Sequence, residues 1–347
     1  SASSASKRSL TAASSRLTHA NRSLGSMSSP SVARRVSLVA WLGVLLVAAV
    51  LAWPSAAGPL RFFAVGDLPY SNAEADLLER LLEQAVAEEP AFIVHVGDIK
   101  GGGQPCTDAR NRAVARLFRD QPVPVVYTPG DNEWTDCHRA AAGGLDPLAR
   151  LASVRRMFFG DPAVLHNRAL GLRAPQPEFP ENAWFIRNNV LFVVLHVVGS
   201  NNAWQPRVPA RKAAFQARAD ANRALLAQAL EAGKGAGVQA AVLIFHANPV
   251  FEQPKKRGFV PLKQDLQRFL AGFDGAVLLI HGDTHSYKLD RPMMDPATGE
   301  PIARVQRLEV PGSPFVAGVW VSIDLDADPV FSVRTVLPSA SDDWLER

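Results

Sequence analysis

Five apolar segments in this chain each run directly into a side chain that can ligate a cation, and that recurrence limits the fold more than any other feature. Arg61–Val65 leads to Gly66-Asp67, and Ala91–Val96 leads to Gly97-Asp98. Val123–Tyr127 leads to Thr128-Pro-Gly-Asp-Asn132. Val238–Phe245 ends at His246, and Ala276–Ile280 ends in His281-Gly-Asp-Thr-His285. Short runs rich in β-branched and aromatic residues, closed by turn residues, read as buried strands. Between the first two, Leu77, Leu78, Leu81, Leu82, Ala85 and Val86 recur at helical spacing behind a capping pair, Ser71 and Glu74. The pattern predicts helices over 73–89, 108–119, 146–158, 209–232 and 261–272, a strand over 190–198, and irregular Pro-rich chain up to residue 182. The order β-α-β-α-β with short connections predicts an α/β sheet with helical crossovers. Carboxyl ends of such strands converge on one edge, where ligands bind. One domain over 58–347 would therefore carry Asp67, Asp98, Asn132, His246, Asp283 and His285 on a common edge.

Charge narrows the functional classes. The chain has 347 residues, a net charge of +4 and a pI near 9.3. The six Lys and Arg of residues 1–57, with no Asp or Glu among them, exceed that total and leave 58–347 at net −2. The body is therefore mildly acidic, which argues against nucleic acid as a partner. Residues 1–57 read as a leader. Arg34-Arg35 precedes an uncharged run from Val36 to Trp53, followed by Ser55 and Ala57, small residues suited to a cleavage site. A cleaved export signal and an uncleaved membrane anchor over 36–53 both fit. Either places the body outside the cytoplasm, in the periplasm or the extracellular space. Two cysteines, Cys106 and Cys137, suit a disulfide in that setting, with two free thiols as the alternative.

Taken singly, each strand-terminal residue has an ordinary structural use, as a turn, a helix cap or a core histidine. Together, Asp and Asn oxygens with imidazole nitrogens suit Mn, Fe or Zn, and a shared carboxylate can bridge two ions. In this order the motifs resemble the calcineurin-like metallophosphoesterase superfamily, and distantly the purple acid phosphatases. The matches are Gly66-Asp67, Gly97-Asp98, Gly130-Asp131-Asn132-Glu133, His246 and Gly282-Asp283-Thr284-His285. The resemblance implies a four-layer β-sandwich flanked by helices. It also implies two divalent metals, with Asp67, Asp98 and His285 on the first and Asp98, Asn132, His246 and Asp283 on the second. Hydroxide shared by the ions would attack a phosphomonoester or phosphodiester, so the implied partner is a small phosphorylated substrate. It would also bring the loops carrying Cys106 and Cys137 to one rim.

Three departures from the family pattern stand out. Pro69 occupies the place of the family's first-metal histidine, which leaves Tyr70 as a candidate to complete the site. Glu133 occupies the place of the catalytic histidine. Asp283 replaces the first His of Gly-His-x-His and favours a harder ion such as Mn or Mg. Asp98, Glu133 and His138 are thus the expected catalytic residues, with Lys100, Arg139 and Tyr70 expected at the substrate. The same departures motivate a second reading, a catalytically weakened metal-binding protein that recognises a phosphorylated ligand.

Overall fold

The computed structural model describes residues 58–253 and 256–339. The leader expected over 1–57, with its signal or anchor segment, lies outside these residues. Two sheets face each other. In the first, β1 (Leu60–Val65), β2 (Ile93–His95) and β3 (Val125–Tyr127) pair in parallel, Phe63 against Ile93 and Ile93 against Val125. β10 (Gly318–Ile323) joins β1 antiparallel, and β11 (Phe331–Val336) closes that side. The second sheet runs β4 (Ala183–Arg187), β5 (Val190–Val194), β6 (Ala240–Ile244), β7 (Ala276–His281), β9 (Val305–Glu309) and β8 (Lys288–Asp290).

Between the sheets Phe62, Phe92, Phe185 and Phe192 interlock. Phe185 and Phe192 stack with centroids 4.7 Å apart, and Phe92 meets Phe192 edge-on at 5.3 Å. The outer face of the first sheet carries α1 (Asn72–Ala87), α2 (Asp108–Arg119) and α3 (Pro147–Phe158), with Leu78, Leu81, Phe118 and Phe158 packed on Phe63, Val65 and Tyr127. The outer face of the second carries α4 (Pro209–Ala236) and α5 (Val260–Ala271), with Leu225, Leu226, Leu266 and Phe269 packed on Leu191, Leu243 and Leu279. Strands covered on both faces must be apolar throughout, which explains continuous runs in place of alternation. The result is the expected helix–sheet–sheet–helix sandwich. Among the described residues, no helix is long and apolar enough to cross a membrane.

Two elements differ from the sequence reading. β4 was not foreseen. It pairs with β5 through Asn188-Asn189, both at positive φ (49° and 57°), as a two-residue hairpin requires. The expected 190–198 strand ends at Val194; beyond it Val197 N–H folds back to Leu195 O at 3.1 Å, which breaks the regular ladder, while Val197 O still accepts from His246 and Ala247 N–H.

Candidate metal centre

The site forms where β1, β2, β3, β6 and β7 end. Two residues after β1, and three after β2, Asp67 and Asp98 take the left-handed region at φ 54° and 55°. Two glycines let neighbouring backbone reach these carboxylates. A Cβ on Gly130 would collide with Asp98 Oδ1, and one on Gly282 would collide with Asp67 Oδ2. The backbone N–H of Asp283 donates to both oxygens of Asp67 at 3.1 Å, and Asn132 N–H donates to Asp98 Oδ1 at 2.9 Å.

Two groups of ligand atoms converge within 4.8 Å: Asp67 with Asp98 and His246, and Asp131 with His246 and Asp283. His246 belongs to both. Its Nε2 lies 3.5 Å from Asp98 Oδ1, 3.4 Å from Asp131 Oδ1 and 3.9 Å from Asp283 Oδ1. Nδ1 lies 2.8 Å from the Val96 carbonyl, which only accepts, so the ring proton sits on Nδ1. Nε2 is fully buried and, among the described residues, without a hydrogen-bond partner; burial is outweighed by the carboxylates of Asp98 and Asp131, which raise the pKa of His246 well above its ordinary value, so a cation would take this nitrogen from a proton. His285 is fixed the same way. Its Nδ1 donates to Ser313 O at 2.6 Å, leaving Nε2 to face Tyr70 Oη at 3.1 Å and Asp67 Oδ1 at 3.7 Å. A carbonyl on Nδ1 orients each ring so that Nε2 is the nitrogen available to a metal.

The electrostatics agree. Burial, opposed by His246 and reinforced by Asp283, pushes Asp67 up to about 8. Burial likewise pushes Asp283 up to about 6 and holds Asp98 well above the ordinary range. Asp131 is the exception, held near 2 because the charge of His246, 3.4 Å away, together with Ser200, outweighs burial. Four carboxylates around one imidazole are short of positive charge, and divalent cations with oxygen and nitrogen preferences fit that donor set.

Not every expected residue arrives here. Asp131 was missed in favour of its neighbour Asn132, whose side-chain amide donates to Asp98 Oδ2 at 2.6 Å. Within a tight turn adjacent side chains diverge, yet both reach the cluster; the acidic residue inside Gly130-Asp131-Asn132 was the available signal. Tyr70 is brought in. Its hydroxyl lies 3.2 Å from Asp98 Oδ2 and accepts from Asn132 Nδ2 at 3.2 Å. Arg139 borders the site, paired with Asp136 at 2.6 Å, with its guanidinium beside Asn132 over Gly102.

Glu133, Lys100 and His138 are placed differently from the expectation. Glu133 turns into the fold, where Oε1 accepts from Tyr127 Oη at 2.8 Å and from Gly130 N–H at 2.7 Å. It shapes the Gly130 turn. Lys100 is buried and donates to Gly101 O at 2.9 Å, and burial lowers its pKa. His138 is solvent-exposed, with Nδ1 2.7 Å from Thr135 O. Cys106 and Cys137 form a disulfide whose sulfurs sit 3.5 and 3.7 Å from the carbonyl oxygen of Asn132. The bond thus backs the loop that carries Asp131 and Asn132.

Fold and site together define a two-sheet α/β protein built around a buried carboxylate–histidine centre. The chain matches the calcineurin-like phosphoesterase family over residues 60–287, more than half its length, and belongs to that family. No curated protein matches it in sequence. Among solved structures it is similar to a dimetal phosphatase from Danio rerio, at 13% identity and TM-score 0.46, covering 81% of this chain and all of that one. It is also similar to GAP50, the anchor in the inner membrane complex of Plasmodium, at 11% identity and TM-score 0.46, covering 82% and 90%. A purple acid phosphatase from yellow lupin (Lupinus luteus) seeds matches at 12% identity and TM-score 0.46, covering 82% of this chain and 55% of that one.

Proposed function

We propose that this protein is an exported phosphoesterase that uses two divalent metal ions to hydrolyse phosphomonoesters or phosphodiesters. The observation that carries this reading is His246 Nε2, a buried ring nitrogen shared by two converging carboxylate groups and without a hydrogen-bond partner among the described residues. Asp67, Asp98 and His285 would hold one ion, with Tyr70 beside it where Pro69 offers no ligand. Asp98, Asp131, Asn132, His246 and Asp283 would hold the other, with Asp98 common to the two sets. Bound ions of this kind supply the charge that draws in a phosphoester and activates water. The chain does the rest. Val96 O and Ser313 O fix the two imidazoles. Arg139, held by Asp136, faces the site edge as the cation that orients phosphate oxygens.

The test is turnover of general phosphoesters by purified protein with added Mn. Chelation should abolish turnover, and Asp98→Ala should be inactive. Absence of any metal-dependent turnover would overturn the enzyme reading.

A specific observation favours a second reading, a metal-binding protein that recognises a phosphorylated ligand. At the family's catalytic-histidine position stands Glu133, turned inward to Tyr127. Phosphonate binding without phosphoester turnover would identify that case. Export is checked by N-terminal sequencing of the mature protein: a start at Gly58 means a cleaved signal, and an intact 36–53 segment means an anchor.

A further inference from the structure

A run of non-glycine residues in the left-handed region is rare, because the Cβ of an L-residue crowds the following carbonyl there. Such residues persist only where their surroundings hold them, and they gather at functional sites. Beside the metal centre, Ser200, Asn201, Asn202 and Ala203 stand in succession at φ 49°, 56°, 55° and 53°.

The run is held at both ends. Asn202 Oδ1 accepts from Arg218 Nη2 at 2.8 Å and from Val198 N–H at 3.3 Å, and Asn202 O accepts from the same Nη2 at 2.6 Å. Asn202 Nδ2 donates to Gly258 O at 3.0 Å. Just ahead of the run, a Cβ on Gly199 would stand 2.4 Å from Asp283 Oδ1 and 2.8 Å from Asp131 Oδ2. The backbone therefore lies directly against two carboxylates of the centre, and the next side chain, Ser200, emerges at the site edge.

There Ser200 Oγ donates to Asp136, 3.0 Å from Oδ1 and 3.2 Å from Oδ2, and accepts from Arg139 Nη2 at 3.5 Å. The same Nη2 pairs with Asp136 Oδ2 at 2.6 Å. Asp136 is buried, whereas Ser200 and Arg139 are exposed. An exposed hydroxyl and an exposed guanidinium thus share one buried carboxylate, and between them they hold Nη2. Nη1 faces the other way. A Cβ on Gly102 would stand 2.9 Å from Nη1 and 2.7 Å from Asn132 Oδ1, so the missing side chain leaves the space between them open. A guanidinium held at one nitrogen, with the other aimed over open space beside a ligand residue, is set to take an anion's oxygen without first being ordered.

We propose that Ser200 is a positioning residue for phosphate: with Asp136 it fixes the direction of Arg139, so that Nη1 meets a phosphate oxygen in the gap left by Gly102 beside Asn132. This rests on the phosphoesterase reading above for the place of the phosphate, and it adds the residues that aim the cation there. The left-handed run is how the chain beyond β5 brings a hydroxyl to a guanidinium carried by the chain beyond β3.

The experiment titrates methylphosphonate, which is not cleaved, into Mn-loaded full-length protein by calorimetry, with turnover of p-nitrophenyl phosphate measured in parallel. Arg139→Ala should weaken methylphosphonate by roughly tenfold or more, and Ser200→Ala by about threefold to tenfold. Ser200→Ala placed on Arg139→Ala should cost nothing further, because the hydroxyl acts through the guanidinium. Ser200→Gly removes the same hydroxyl and suits the left-handed backbone, so it should bind as weakly as Ser200→Ala while melting no lower than it. Additive losses in the double variant, parent-like affinity in Ser200→Gly or unchanged affinity in Ser200→Ala would each overturn the positioning role, while turnover in the parent leaves the phosphoesterase reading standing. The expected pattern of affinities without turnover in the parent supports the positioning role and overturns the enzyme reading. Failure of the parent to bind methylphosphonate overturns the proposal.

Discussion

Two buried histidine–carboxylate clusters sit in this sandwich, and their charges are arranged in opposite ways. Around His246 stand Asp67, Asp98, Asp131 and Asp283, with no Arg or Lys among the described residues paired to any of them. Around His196 the charges are balanced within the chain, although its Nε2 also has no hydrogen-bond partner among the described residues. Glu181 accepts from Arg155 Nη2 at 2.5 Å and Nε at 2.9 Å, and from His196 Nδ1 at 2.7 Å. Burial would raise Glu181, but His196 and Arg155 outweigh it and hold the carboxyl near 2. Burial keeps His196 neutral, pushed down to about 4. The balanced cluster is a structural joint between α3, β5 and the chain before β4. The unbalanced one is a site, because only an added cation completes it.

Substitutions should pull the two clusters apart. The largest effect belongs to Asp98→Ala, expected to lower metal-dependent phosphoester turnover by roughly a thousandfold or more, since the lost group is charge aimed at the reacting centre. In chelator the same variant should melt no lower than the parent, because one member of a self-repelling set has been removed. Comparable turnover in the two proteins would break the comparison. Glu181→Ala should do the reverse. It leaves Arg155 facing a buried space and should cost about 3 kcal/mol in urea unfolding, while folded protein keeps its turnover. Arg155 is partly exposed, which keeps the figure at the low end of that range.

Metal itself should separate them next. At Mn about a hundredfold above its dissociation constant, stability should rise by about 2.7 kcal/mol in the parent and equally in Glu181→Ala, with little change in Asp98→Ala. Paired melts with and without chelator check this. The smallest effect is the acid response of the balanced cluster. His196 binds a proton near 6.5 when unfolded and near 4 when folded, so its contribution is complete above about 6.5 and declines as pH falls towards 4. His95, at about 4, and His281, at about 3, are buried neutral and decline over overlapping ranges. In chelated protein Asp67, Asp98 and Asp283, all raised in the folded state, gain stability as pH falls and oppose these losses, so His196 is read from a difference between proteins. The parent should lose more urea stability, or gain less, than His196→Gln between pH 6.5 and 4, and identical profiles would remove His196 from the cause.

The sequence made the sandwich legible because strands buried on both faces leave long apolar runs, and their polar ends marked the edge where Asp67, Asp98, His246 and Asp283 gather. β4 escaped because its signal was a turn, Asn188-Asn189, and not a periodicity. Glu133 escaped for a different reason. Its direction is set by Tyr127, six residues back on β3, and by Gly130 N–H, and neither bond has a sequence pattern. Asp131 and Asn132 show the same limit: spacing finds the turn, and backbone angles choose which side chains it presents.

Gly130 and Gly282 carry no functional group, yet the backbone at each lies where a methyl group would displace the carboxylate of Asp98 or Asp67. An inventory of inactivating variants drawn only from polar positions would omit them. For reading natural variation in this chain, alanine at either glycine belongs with loss of a ligand, although by composition it is the mildest change a residue can undergo.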